Sequence, residues 1–212
     1  MERAITPPLN GRRAEAARNN RTILDAARAI FTDDPGAPIA AVAARAGVGI
    51  GALYRRYASK DVLLQHLALD GLTRYVAAAE AALADEGEPW AAFVRFMATA
   101  LDAGTGSLTL RFAGNFASTE EMQQAGIRGY TVTQQLLDRA QAAGIIRADL
   151  TVADLALLFE QFQAIRVGDH ERTMQLRHRA LTLSLDALRC PEPSPLPGPA
   201  PHWEELRQRY DG

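Results

Sequence analysis

The sequence predicts an all-α fold: a short-helix module at the N-terminus, a long connecting helix, and a C-terminal helical body. Three observations carry this. Apolar residues recur at helical spacing along most of the 212 residues. Breaks bearing glycine or proline divide that pattern into segments of helical length. No segment shows sustained strand alternation between turn signals.

The elements follow in order. Ile23, Leu24, Ala27, Ile30 and Phe31 form an apolar stripe on a helix over about 13–32, which Asp33-Asp34-Pro35-Gly36 breaks. Ile39, Val42, Ala43 and Ala46 repeat at helical spacing in a second, short helix. Gly47 follows where a tight turn needs positive φ, which glycine adopts at no steric cost. Val48 and Leu53 give a third helix its apolar side, and Tyr54, Arg55, Arg56 and Lys60 give it an anion-seeking side. Two short helices around a glycine turn, the second basic and aromatic on one face, have the layout of a helix-turn-helix. Its second helix enters the major groove of DNA.

Ser59 is placed to cap a long fourth helix ending near Ala84, with Asp61 favourable in its first turn. Further helices are expected over 89–103, 107–118, 119–143, 151–168 and 171–189. The turns at Gly104-Thr105-Gly106, Gly144 and Gly168-Asp169 separate them. Residues 191–201 are proline-rich and read as extended. Trp203, Leu206 and Tyr210 share a face in a short terminal helix. The expected domains are 1–60, a helix-turn-helix DNA-binding domain; 61–190, a helical body; and 191–212, a proline-rich tail.

Charge divides the chain in the same way. The net charge is −2, yet residues 1–60 hold ten basic and five acidic groups, a surplus of +5. The remainder holds 13 basic and 20 acidic groups, or −7. A basic N-terminal block on an acidic body suggests that only the former meets a polyanion. No apolar run reaches the roughly 18 residues of a membrane span, and the start lacks the apolar stretch of a signal peptide. The single cysteine, Cys190, gives no disulfide framework. A cytoplasmic protein with no membrane partner, metal or cofactor is expected.

Enzyme readings find little support. Gly47-Val48-Gly49-Ile50-Gly51-Ala52 matches a loose dinucleotide-binding pattern, but such a loop should follow a buried strand and here follows a helical pattern. His170-Glu171 and His178 lack the spacing of a zinc-protease helix. No serine has a nucleophile-elbow context, so no catalytic residue is assigned.

The N-terminal third reads Arg21-Thr22-Ile23-Leu24-Asp25-Ala26-Ala27, then Ala46-Gly47-Val48, then Gly51-Ala52-Leu53-Tyr54-Arg55-Arg56-Tyr57-Ala58-Ser59-Lys60. In this it resembles the TetR (tetracycline-repressor-like) family of transcriptional regulators. These motifs, in this order, cover about residues 13–70. Three positions depart from the family pattern. Gly49 and Pro38-Ile39 stand where the family often has a hydroxyl residue to cap a helix and meet a phosphate. Arg56 stands where a histidine is common.

On the recognition helix, Ile50, Ala52 and Arg55 are spaced to face outwards, with Gly51 among them. Arg55 suits a bidentate contact to a guanine edge, and Ile50 or Ala52 suits a thymine methyl. The resemblance implies phosphate contacts for Tyr54, Arg56 and Lys60. Leu53, Val48 and Tyr57 are core residues. The resemblance further implies a ligand cavity in the C-terminal body and a dimer formed by its last two helices. Phe93, Phe96, Met97, Phe112, Phe116 and Phe159 are apolar candidates for the cavity, and Asn115, Gln134 and Gln163 polar ones. Most aromatics there must nevertheless fill an ordinary core. Leu155, Leu158, Phe162, Leu181, Leu185 and Leu188 can serve the core or the dimer.

The expected function is a ligand-responsive regulator, a repressor binding a pseudo-palindrome as a homodimer. A mainly apolar small molecule, held by a few hydrogen bonds rather than by an ion pair or metal, would release it. The alternative is a DNA-binding or architectural protein with no small-molecule effector.

Overall fold

A computed structural model describes residues 9–34, 36–104, 118–189 and 192–206. Among these, every regular element is a helix: α1 Leu9–Asp33, α2 Ile39–Ala46, α3 Ile50–Arg56, α4 Lys60–Ala84, α5 Pro89–Ala103, α6 Glu120–Ala142, α7 Val152–Ala164 and α8 His170–Leu188. The expected helix over 107–118 falls outside the described residues apart from its last position. So do Phe112, Asn115, Phe116, Cys190 and Tyr210. The chain divides into two compact units, Met1–Leu63 and Leu64–Gly212, with the division inside α4.

In the first unit α1 packs on α2, and α2 on α3. Ile23, Leu24, Ala27 and Phe31 of α1 meet Ile39, Val42 and Ala43 of α2 in a core that also takes in Leu53 and Tyr57. Gly47 ends α2 in the left-handed conformation (φ 67°), and Val48 N–H returns to Ala43 O at 3.0 Å. Pro38 and Gly49 stand at the N-caps of α2 and α3 and offer no side-chain cap. Ser59 Oγ caps α4 by accepting from Val62 N–H at 3.2 Å.

In the second unit α5 packs against α6 and α8, and α7 against both α6 and α8. Its core joins Phe93, Phe96, Met97 and Leu101 of α5 to Val132, Leu136 and Leu137 of α6. Leu155, Phe159 and Phe162 of α7 and Leu181, Leu185 and Leu188 of α8 complete it. Thr151 and Asp154 form a reciprocal capping box at the start of α7, and Asp169 caps α8 by accepting from Arg172 N–H.

Helix α7 ends at Ala164, four residues before the expected end. Buried Arg177 of α8 accounts for the stop. Its Nη2 donates to Gln163 O at 3.0 Å and its Nε to Ile165 O at 3.2 Å. Thr173 Oγ1 accepts from Val167 N–H and donates to Val167 O, fixing the turn between α7 and α8. Arg139 of α6 plays a like part at the end of α4, donating to Leu83 O and Asp85 O at 2.7 Å each. In both cases a cation on a neighbouring helix satisfies carbonyls that the helix end leaves open.

The proline-rich tail docks on this unit. Trp203 lies against Tyr130, with ring centroids 5.2 Å apart, and Leu206 is buried. Arg147 Nη2 donates to Ser194 O at 2.7 Å. The same guanidinium, by its hydrogen bonds, holds the Asp149 carboxyl down at about 2.

Candidate functional site

The recognition helix α3 buries only Leu53, while Ile50, Gly51, Ala52, Tyr54, Arg55 and Arg56 are exposed. Ile50 and Tyr54 stand out, at 44% and 48% exposed, because large apolar and aromatic side chains are rarely left in water without a partner. Ile50 and Tyr54 lie one turn apart, and so do Gly51 and Arg55, giving one continuous outward face. Tyr57, just past the helix, is buried.

Asn20 of α1 sets the orientation of this helix. Its Oδ1 accepts from Arg56 Nε at 2.8 Å and from Tyr57 Oη. Arg56 is therefore tied to α1 and less free than Arg55. Replacing Asn20 with Ala removes both bonds at once. Unfolding should become easier by about 1–2 kcal/mol, and affinity for specific DNA should fall with Arg55 untouched. Chemical denaturation followed by a DNA titration checks this; unchanged stability would show that the two bonds are replaced by water.

Lys60 is half-buried at the start of α4. Its ammonium donates to Ala37 O at 2.8 Å and sits 5.0 Å from the Phe31 ring centre. It thereby anchors the α1–α2 connection as well as standing at a helix N-terminus, where an anion is favoured.

Among the described residues, those expected to hold a ligand do not all line one open cavity. Phe93, Met97 and Phe159 are buried in the core of the second unit. Gln134 donates to Asp138 on the outer side of α6, a local pair that points away from the core. Gln163 is buried; its Nε2 donates to Leu101 O at 3.3 Å, and its Oε1 has no partner among the described residues. Phe96, by contrast, borders an open cavity.

That cavity is a cleft of about 570 Å³ between α4 and α5. Its walls are small: Ala77, Ala78, Ala81 and Ala82 of α4 face Ala92, Phe96 and Ala103 of α5. Arg74, Asp85, Arg95, Thr99 and Asp102 add polar groups. Sequence reasoning missed it because alanine is a weak marker of burial, and the aromatics drew attention to the core instead. The signal was the alanine run of α4 itself. Around Asp85 a hydrogen bond from Gly87 N–H, and then the Arg95 guanidinium, hold the carboxyl below its usual range. Deeper in the unit Tyr75 Oη pairs with Thr133 Oγ1 at 2.8 Å, and burial pushes the Tyr75 phenol up to about 12.

The expected dimer residues need correction. Leu155, Phe162, Leu181, Leu185 and Leu188 are buried within the single chain. A side chain already enclosed by its own core cannot also cover a partner. Only Leu158 stays partly open. The outer side of α8 instead carries Leu176, Ala180, Leu183 and Ala187, partly or fully exposed, at steps of four, three and four residues. Leu183 is 64% exposed.

An all-helical chain with a helix-turn-helix unit, its recognition helix turned outwards, and a second helical unit defines a DNA-binding transcriptional regulator. Comparison with known proteins specifies which kind. Residues 23–67 match the bacterial regulatory proteins of the tetR family. Residues 85–190 match the C-terminal domain of SbtR-like transcriptional regulators. The chain belongs to the TetR family of transcriptional regulators.

Solved structures agree. A TetR transcription regulatory protein from Mycobacterium vanbaalenii is 30% identical, with a TM-score of 0.56, over 84% of this chain and 99% of that one. The TetR-like regulator LfrR from Mycobacterium smegmatis, in complex with proflavine, is 25% identical, with a TM-score of 0.55, over 78% of this chain and 95% of that one. A TetR regulator from Streptomyces coelicolor, 23% identical with a TM-score of 0.58, covers 80% of this chain and 98% of its own and shares the fold. No curated protein matches the sequence. Among the described residues no helix is long and apolar enough to cross a membrane, and no group of acidic, histidine or cysteine side chains is arranged to hold a metal.

Proposed function

We propose that this chain is a cytoplasmic, ligand-responsive repressor that binds a pseudo-palindromic operator as a homodimer. The observation that carries this is the outward face of α3. Ile50, Tyr54 and Arg55 have no core to serve, and they occupy positions that can meet base edges and phosphates. Arg55 reads a guanine, Ile50 or Ala52 meets a thymine methyl, and Tyr54, Arg56 and Lys60 hold the backbone. The cleft between α4 and α5 receives a mainly apolar effector, which shifts the dimer away from the spacing that fits two half-sites.

Selection of bound duplexes from a random pool tests the DNA reading and should recover a two-fold symmetric sequence. Calorimetric titration of a ligand with and without that operator tests the effector reading. Coupling is reciprocal, so a ligand that weakens DNA binding must bind less tightly once operator is present. If every cleft ligand binds equally well with and without operator, the protein is a regulator without a small-molecule effector.

The dimer is proposed to close over the stripe Leu176, Ala180, Leu183 and Ala187 of α8, with Leu158 of α7 beside it. A stable interface of this kind buries about 1,600 Å². Leu183→Glu places a charge in that seam while disturbing no core contact. The dimer should weaken by at least about tenfold, with helix content and melting temperature of the monomer retained. Sedimentation across a concentration series reads the result; a wild-type chain that stays monomeric at micromolar concentration removes the dimer.

A further inference from the structure

The cleft between α4 and α5 has an uneven charge balance. Arg74 pairs with Asp70 at 2.9 Å, and Arg95 pairs with Asp85. Asp85 accepts in addition from Gly87 N–H. Both cations that border the cleft are thus matched by carboxylates. Asp102 is different. Its Oδ1 meets only His178 Nε2 of α8, at 2.7 Å, and its Oδ2 has no partner among the described residues. Thr99, on the same face of α5 and three residues earlier, also lines the cleft. The rest of the wall is alanine and one phenylalanine edge.

We propose that the cleft takes an amphipathic cation, an aromatic or aliphatic body carrying one amine, whose positive end pairs with Asp102 at its open Oδ2, beside His178 on Oδ1. This rests on the reading of the cleft as an effector site and adds the chemical class of the ligand. The apolar body expected from the sequence is kept, but an ion pair stands where the sequence led us to expect hydrogen bonds alone. The matched arginines give an anion no unopposed charge, whereas the open Oδ2 gives an ammonium one. A bulky, rigid body suits the wall because alanines leave the volume that larger side chains would fill.

The choice of Asp102 also links the cleft to α8. An ammonium on Oδ2 shares the carboxylate with His178, which stands two residues from Leu176 and from Ala180 of the proposed dimer stripe. The effector then reaches the interface helix through one shared carboxylate.

Three probes with one body separate the possibilities: 2-naphthylmethylamine, 2-naphthylmethanol and 2-naphthoate, titrated calorimetrically into the full-length protein. The amine should bind about fivefold more tightly than the alcohol, as befits a half-exposed ion pair, and the carboxylate least of all. Asp102→Asn should make amine and alcohol equal while leaving alcohol affinity unchanged. His178→Ala, which removes the other partner of the carboxylate, should hold or raise amine affinity. A loss of amine binding in His178→Ala would assign the effect to helix packing and overturn the proposal. Equal binding of amine and alcohol to the wild-type protein overturns the cation preference but keeps the cleft as a ligand site. Preference for the carboxylate, lost in Arg95→Ala, reverses the assigned charge. Binding of none of the three at millimolar concentration removes the cleft as a ligand site and the proposal with it.

Discussion

Replacing Arg177 with Ala is expected to lower the stability of the second unit by about 3 kcal/mol, the largest effect of any single polar substitution in it. The side chain is 2% exposed, and its contacts include Gln163 O, Ile165 O and, at 3.9 Å, Met174 Sδ. Its removal leaves two carbonyls at the end of α7 without these donors and opens a cavity between α7 and α8. Lysine cannot restore the fork, because an ammonium does not span two carbonyls in the plane a guanidinium uses. Arg177→Lys should therefore recover only part of the loss. Urea unfolding measures both variants. A loss below about 0.5 kcal/mol for the alanine variant would mean that water reaches the end of α7 and replaces the arginine.

The second large effect is on DNA. Arg55→Ala should cost about 1–3 kcal/mol on the specific site and relax sequence preference at one base pair per half-site. Arg55 is exposed on α3, so the fold should be unaffected. Lys60→Ala should behave differently in two ways. It should weaken binding to all duplexes alike, lowering the salt slope by about 1 for each protomer. It should also cost about 1 kcal/mol of stability, since the Ala37 carbonyl loses its donor. Binding isotherms at several salt concentrations, on specific and random duplexes, separate the two. Equal losses on both duplexes for Arg55→Ala would take it out of the base-reading set.

Much of this protein was legible in the sequence because its signals are local. Gly47, Gly104, Gly144 and Gly168 all adopt positive φ at the turns that their spacing marked. Thr151 and Asp169 cap helices within a residue of the expected starts, since a cap needs only a side-chain oxygen and the next three residues. The helix-turn-helix lies within about twenty residues, and its outward face follows from the burial of Leu53 alone. These features depend on neighbours a few positions away, which a sequence displays directly.

What only the tertiary structure decided concerns what covers each apolar face. Periodicity marked α7 and α8 as amphipathic but could not say that Leu181, Leu185 and Leu188 turn into their own core while Leu176 and Leu183 turn out. Both sets recur at helical spacing, and only the position of α5 and α7 against α8 selects between them. The early stop of α7 is set by Arg177, and the end of α4 is held by Arg139 from more than fifty residues away. The cleft exists because alanines of α4 and α5 face each other and fill too little space. A sequence records which residues are apolar and at what period. Which of them meet, and where their volumes fall short, is decided only once distant helices are packed together.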